Sequence, residues 1–332
     1  MTSGNWFIQL RLGGESICIT EPTKAEARVK AQLIKSQYLA GRRDAKNKKL
    51  GERTLAETIT QYIESCRATL SPSTIRAYEA YQKARFLDYQ DQKIGEIIWQ
   101  DMIDDELQQF TPKTVRNGWS LVHASLKHVG YPIPTVRLAK APTNEIPFLQ
   151  PEEIKPFCAA IKGRNYEIAL LLELHGLRLS EVLGLDWSRV DLKKKTITIR
   201  GATVRGPDGM VSKNTNKNET SARTVPIMIK QLETALTAVE DKTGAVVTQH
   251  PSVLLEDVKR ACGMAGVTVV SNHGLRHSFA SLCYHLGISE RQLMQWGGWA
   301  DYQTMHKIYV RLAASDQTKA QATVSAFFDE EK

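Results

Sequence analysis

A multidomain, mainly α-helical fold with small β elements is what this 332-residue sequence predicts. Three observations lead there. Strand-like alternation is confined to the first 20 residues, amphipathic helical stripes follow from Thr54, and helices mix with two short alternating segments only after Leu149. The chain is long for one core and suits two or three.

At the start, Trp6, Ile8, Leu10 and Leu12 alternate, Gly13-Gly14 supplies a turn, and Ile17-Cys18-Ile19 resumes the alternation. Pro22-Thr23 opens a helical run from Lys24 to about Leu39, with Ala27, Ala31, Ile34 and Tyr38 at helical spacing. Residues 1–40 therefore read as a β-β-α module, too small to be very stable alone. Residues 41–53 are polar, basic and poor in apolar side chains, which predicts a linker or hinge. Leu55, Ile59, Tyr62, Ile63 and Cys66 form one apolar stripe. Ser73 is expected to cap a helix over Thr74–Asp88, with Pro72 ending what precedes it. Helices are expected over Gln100–Phe110 and over Pro112–Val129, the latter capped by Thr111 with Pro112 at its first position. Residues 54–130 thus read as a four-helix domain. Repeated prolines mark 131–148 as a second linker.

The remainder, 149–332, is mixed α+β. Helices are expected over Pro151–Ile161, Tyr166–Leu174 and, with Ser180 as cap, Ser180–Leu185. Thr196–Arg200 and Arg223–Ile229 alternate like strands, and the Gly- and Asn-rich stretch between them suggests a hairpin.

Composition narrows the function. No run of about 18 apolar residues exists, so no membrane span is expected. The first 30 residues lack the features of a signal peptide. The five cysteines are scattered and never form a Cys-x-x-Cys pair, which argues for reduced thiols in a cytosol and against a disulfide frame or zinc site. Net charge is +8, and residues 1–53 hold 11 Lys and Arg against 5 Asp and Glu, whereas residues 54–140 hold 10 of each. That basic start is the footprint of a polyanion binder, with Arg42, Arg43, Lys46, Lys48 and Lys49 as the candidate contacts.

Short stretches in the second half carry the chemistry. A phosphodiester is anionic and gathers more charge under in-line attack, so fixed cations stabilise that state, and the planar fork of Arg suits the task. Arg178 lies among Leu177, Leu179, Val182 and Leu183, where an unpaired charge is expensive. Glu181, one turn on, reads as a buttress that orients an arginine. His273 and Arg276 share a face at the start of a helix running to about Leu286. His273 is suited to bond a phosphate oxygen or to move a proton near neutral pH, and His277 reads as packing. Lys217 precedes Ser221, Arg223 and Pro226; on a hairpin tip it would reach a bound phosphate, and Lys213 is the alternative. Tyr309 follows Gly297-Gly298-Trp299 by ten residues. Its phenol, ordinarily near pKa 10, would act as nucleophile among cations, and Trp299 has one polar handle, its indole N–H.

In this order and spacing the residues resemble the tyrosine recombinase family, phage and mobile-element integrases in particular. Leu177-Arg178-Leu179-Ser180-Glu181-Val182-Leu183-Gly184-Leu185 is similar to its first arginine box, and His273-Gly-Leu-Arg276-His277-Ser-Phe-Ala-Ser to its second. Lys217 with Ser221, Arg223 and Pro226 matches the lysine element. Gly297-Gly298-Trp299 followed by Tyr309 matches the nucleophile segment, with Trp where His is commoner and a step one residue longer than usual. The likeness spans 150–320 and extends loosely to 54–130, similar to a core-DNA-binding domain, and to 1–40, similar to an arm-binding module. It implies a site-specific recombinase acting without cofactor or metal. Tyr309 would attack to give a 3′-phosphotyrosyl link; Arg178, Arg276, His273 and Trp299 would hold the phosphate; Lys217 would protonate the leaving oxygen. Its implied partners are double-stranded DNA attachment sites, a homotetramer on synapsed DNA, and host bending and directionality factors, in a bacterial cytosol. Two alternatives stay open: strand cleavage and resealing like a type IB topoisomerase, or a catalytically silent DNA-binding regulator. Val324, Ala326, Phe327 and Phe328 make the tail amphipathic, for docking on its own domain or on a neighbouring protomer.

Overall fold

A computed structural model describes residues 4–12, 14–142, 146–213 and 222–299, with the isolated residues 302 and 325. The chain divides into two compact units, Met1–Pro142 and Thr143–Lys332.

The first unit opens with an antiparallel hairpin of β1 (Trp6–Leu12) and β2 (Glu15–Glu21), in register from Trp6↔Glu21 to Leu12↔Glu15. The helix α1 (Lys24–Gly51) packs against it, and Ile19 and Ala27 are buried in the contact. Thr23 caps α1, accepting from the Glu26 N–H while Glu26 reaches back to the Thr23 N–H.

The linker expected over 41–53 is instead the last third of α1, which runs to Gly51. Arg, Ala, Lys and Leu are good helix formers, so the helix propagates through residues that carry no apolar stripe. Gly51 then lies against Gly95 so closely that a Cβ there would stand 3.2 Å from the Gly95 Cα.

Next come α2 (Leu55–Cys66), α3 (Pro72–Ala84), α4 (Trp99–Gln109) and α5 (Pro112–Val129). Their apolar stripes meet in one core containing Leu55, Ile59, Ile63, Met102, Ile103, Val122 and Leu126. Thr111 caps α5 with Pro112 in its first turn. At α3 the cap position falls on Ser71 rather than Ser73, because the fixed φ of Pro72 suits the first turn and the helix starts there. Residues 131–142 form neither helix nor strand, yet they are strapped to this unit: Arg116 donates to the carbonyls of Leu138 and Ala139, and Gln100 accepts from the Arg137 N–H.

The second unit contains α6 (Pro151–Ile161), α7 (Glu167–Leu174), α8 (Leu179–Leu183), α9 (Lys230–Ala238), α10 (Pro251–Ala265), α11 (Asn272–His285) and α12 (Glu290–Gly297). A three-stranded antiparallel sheet joins β3 (Val190–Asp191), β4 (Thr196–Ile199) and β7 (Arg223–Pro226). A separate hairpin pairs β5 (Ala202–Arg205) with β6 (Met210–Lys213). The two alternating segments therefore pair with each other, Ile197 facing Val225, and the hairpin is inserted between them. The helix α7, nearly all buried, runs through the middle of the core with α11, α9, α8 and α10 against it. The α8 helix begins at Leu179 with Arg178, not Ser180, at its cap position. The expected hairpin tip with Lys217, the segment around Tyr309 and the amphipathic tail lie outside the described residues.

Candidate active site

The site grows from the end of α7. His175 closes that helix, and Gly176 turns the chain at φ +95°, a left-handed conformation suited to glycine. A Cβ at Gly176 would also meet the Phe279 ring at 2.7 Å, so the turn lies flat on α11. Leu177 is buried and anchors the far side, which sets Arg178 at the mouth of α8.

Glu181 is the hub. Its carboxylate accepts from the Arg178 backbone N–H at 2.9 Å and from the Arg178 guanidinium at 2.8 Å. It also accepts from both terminal nitrogens of Arg223, at 2.9 and 3.1 Å. Burial pushes this carboxyl up, but the hydrogen bond and charge of Arg223, with Arg178 behind, hold it below the ordinary carboxylate range. Arg178 further donates to the Gly298 carbonyl at 2.8 Å, and the Arg223 Nε to the Trp296 carbonyl at 2.7 Å. One carboxylate and two guanidinium groups thus tie α8, β7 and the end of α12 together.

Because Arg223 is only 5% exposed, removing Glu181 costs a buried guanidinium two of its hydrogen bonds. Glu181→Ala is expected to lower unfolding stability by about 3–5 kcal/mol, read from urea unfolding. Since the folded pKa of Glu181 is depressed, its stabilisation is present above the ordinary carboxylate pKa and is lost as pH falls through the folded value. The wild type should lose part of its margin over that acid range; a flat acid profile equal to that of Glu181→Ala contradicts this.

Arg276 is different. It is 1% exposed, donates one bond to the Gly176 carbonyl, and lies face-on to the Trp299 ring at 3.9 Å from the centroid. Its Nε and Nη2 have no hydrogen-bond partner among the described residues. Burial, followed by the charge of Arg178, pushes its pKa well below the usual arginine range. His273 lies one turn before it and is exposed at the residue level. Partial loss of solvent around the ring, then the charges of Arg276 and Arg178, lower its pKa, so the imidazole is neutral at neutral pH. The His277 ring meets it edge-on at 4.7 Å.

The structure therefore brings Arg178, Glu181, His273, Arg276 and Trp299 into one neighbourhood. Tyr309 and Lys217 lie outside the described residues, and Lys213 ends β6. Arg42, Arg43, Lys46, Lys48 and Lys49 belong to the other unit, all exposed on α1. Sequence reasoning used Arg223 only as a spacing landmark. Its role as second partner of Glu181 spans 42 residues, and its place at the head of an alternating strand was the available signal. His175 was likewise passed over; it is buried, accepts the Met228 N–H at 3.0 Å, and burial pulls its pKa to about 4. Among the described residues no group of three or more His, Cys, Asp or Glu is placed to hold a metal ion. No described helix is long and apolar enough to cross a membrane.

Comparison with known proteins gives the family and the fold. The phage integrase family model matches residues 147–316, just over half of the chain. A tyrosine recombinase XerC-like protein of Caldanaerobacter subterraneus subsp. tengcongensis is 25% identical over 360 residues, covering 92% of this chain and 90% of its own. Tyrosine recombinase XerA of Thermococcus onnurineus is 27% identical over 296 residues, covering 80% of this chain and 95% of its own. Among solved structures, the Tn1549 transposon integrase in complex with transposon right end DNA has a TM-score of 0.63 at 15% identity, over 80% of this chain and 99% of that one. A lambda integrase dimer bound to a COC′ core site has a TM-score of 0.58 at 13% identity, over 93% of each chain. At those identities the structural likeness speaks to fold alone: mainly helical, with small sheets. With its two arginine elements inside the matched span, the chain belongs to the phage integrase family, the tyrosine recombinases.

Proposed function

We propose that this site-specific recombinase cuts and rejoins DNA through a 3′-phosphotyrosyl intermediate on Tyr309. The observation that carries the assignment is a cluster of fixed positive charge whose two arginines differ in state. Arg178 is satisfied by Glu181 and Gly298, while Arg276 is buried with two nitrogens unbonded among the described residues. A buried guanidinium left short of acceptors is costly on its own, and a phosphate oxygen is the acceptor that removes the cost.

In this scheme the phenolic oxygen of Tyr309 attacks the scissile phosphorus in line, and the bond from phosphorus to the 5′ oxygen breaks. His273, neutral at working pH, takes the phenolic proton, and Lys217 gives its own to the departing 5′ oxygen. Arg178, Arg276 and Trp299 hold the non-bridging oxygens. The phosphoester is conserved in the phosphotyrosine, so the scheme requires no ATP. A 5′ hydroxyl of the partner strand reverses the step, and two rounds through a Holliday junction exchange the duplexes. Such exchange needs four protomers on two DNA sites, with DNA-bending and directionality factors as further partners.

The helices of 54–130 are assigned to core-site DNA and the β-β-α module to arm sites. On α1, Arg42, Lys46 and Lys49 recur at helical spacing, so a row of exposed cations replaces the expected loop.

A nicked suicide duplex tests the function. Wild type is expected to give a protein–DNA band that survives denaturation. Retarded DNA with no such adduct overturns the reading and leaves a DNA-binding regulator; plasmid relaxation with no recombinant product leaves a topoisomerase-like enzyme.

A further inference from the structure

Glu173, near the end of α7, has no exposed surface. Both of its carboxyl oxygens face the side-chain amide of Asn272, at 2.9 and 3.0 Å. Asn272 is the first residue of α11 and is itself buried; the capping bond of that helix is made by Ser271, which accepts the Gly274 N–H. The Asn272 amide is thus not needed for capping. It serves the contact to Glu173.

That contact joins two elements of the site. Five residues beyond Glu173, through the Gly176 turn, the chain reaches Arg178. Next to Asn272 is His273, and Arg276 follows one turn on. Arg276 already donates to the Gly176 carbonyl across the same gap, so the two bonds bracket the approach of α7 to α11.

Among the described residues no cation offsets Glu173. On its own helix, Glu167 accepts from the Gly163 N–H and Gln231, and His175, which caps the helix end, accepts from the Met228 N–H. Of the elements packed on α7, α8 pairs Glu181 with Arg178 and α9 pairs Glu233 with Lys230. On α10, Asp257 pairs with Arg260 and Glu256 with Lys259; on α11, His273 is turned to the His277 ring. Burial accordingly pushes the Glu173 carboxyl up to about 8, with the Asn272 bond acting the other way. An apolar pair would pack here at less cost, so stability does not explain the polar one.

We propose that the Glu173–Asn272 pair is a positioning clasp for strand cleavage, setting the register between the turn that carries Arg178 and the helix that carries His273 and Arg276. This deepens the recombinase reading above and rests on it. A displacement of about 1 Å between the two arginines is enough to slow the chemical step about 10²-fold. The clasp holds in either protonation state, because ionisation makes the Glu173 oxygens stronger acceptors toward the Asn272 amide.

The test measures adduct formation by the full-length chain on the suicide duplex at neutral pH, with DNA retardation alongside. Asn272→Ala and Glu173→Leu are expected to lose about 10²-fold in cleavage rate while retarding DNA as wild type does. Glu173→Gln, which keeps an acceptor for the Asn272 amide, should cleave like wild type. Wild-type cleavage by Asn272→Ala overturns the clasp, as does a Glu173→Gln variant as slow as Glu173→Leu. If Glu173→Leu fails to fold, the other two variants decide. Absence of any adduct from wild type overturns the recombinase mechanism itself, and the clasp with it.

Discussion

Phe in place of Tyr309 is expected to abolish the covalent adduct altogether while leaving DNA retardation intact. The substitution removes one oxygen and nothing else of size, so the phosphate contacts that supply affinity are unchanged. No general base or fixed cation compensates for a missing nucleophile. Tyr302 is the nearby candidate for a substitute. It is exposed, and a hydrogen bond from its hydroxyl to Glu290 raises its pKa, which makes it a poorer nucleophile. A denaturing gel of the suicide-duplex reaction reads the result directly. An adduct that persists in Tyr309→Phe means that another side chain attacks.

Arg276→Ala is expected to slow adduct formation by about 10²–10³-fold or more, with only a modest change in stability. The two effects separate because of what Arg276 lacks. Its buried guanidinium bonds to the Gly176 carbonyl and stacks on Trp299, but two of its nitrogens have no partner among the described residues. Deleting it removes a desolvated charge, which is favourable, and removes packing against the indole, which is not. The rate has no such compensation, since the donors proposed to hold the phosphate are gone. Arg276→Lys should recover little, because an ammonium presents a point charge where a planar fork is needed. Single-turnover cleavage and urea unfolding, measured on the same variants, distinguish this from Glu181→Ala, whose loss falls mainly on stability. A variant Arg276→Ala that cleaves at the wild-type rate refutes its placement at the phosphate.

Much of the fold is legible where local chemistry and apolar period agree. The helix over Pro151–Ile161 and the Thr111-Pro112 start of α5 follow from capping and proline geometry within a few residues. The alternation at Thr196–Ile199 and Arg223–Pro226 marks strands that the structure pairs with each other. Legibility fails where no apolar stripe exists to be read. Residues 41–51 bury almost nothing, so a pattern search sees a linker, yet backbone propensity carries α1 through them. It fails again at Ser180, whose hydroxyl makes it a good cap on paper. The Glu181 carboxylate takes the Arg178 N–H instead and starts the helix earlier.

The residue types, their order and their spacing, from the two arginine elements to the lysine element and the terminal tyrosine, were determined by the sequence alone, because phosphoryl chemistry demands those side chains and a motif is contiguous. The state of each group was decided only by the tertiary structure. Glu181 shared between Arg178 and Arg223, Arg276 buried against Trp299 and short of partners among the described residues, and a buried Glu173 held by Asn272 are contacts across 3 to 99 residues. Burial and pairing energies depend on what folding brings within a few ångströms, and neighbours along the chain do not encode that distance.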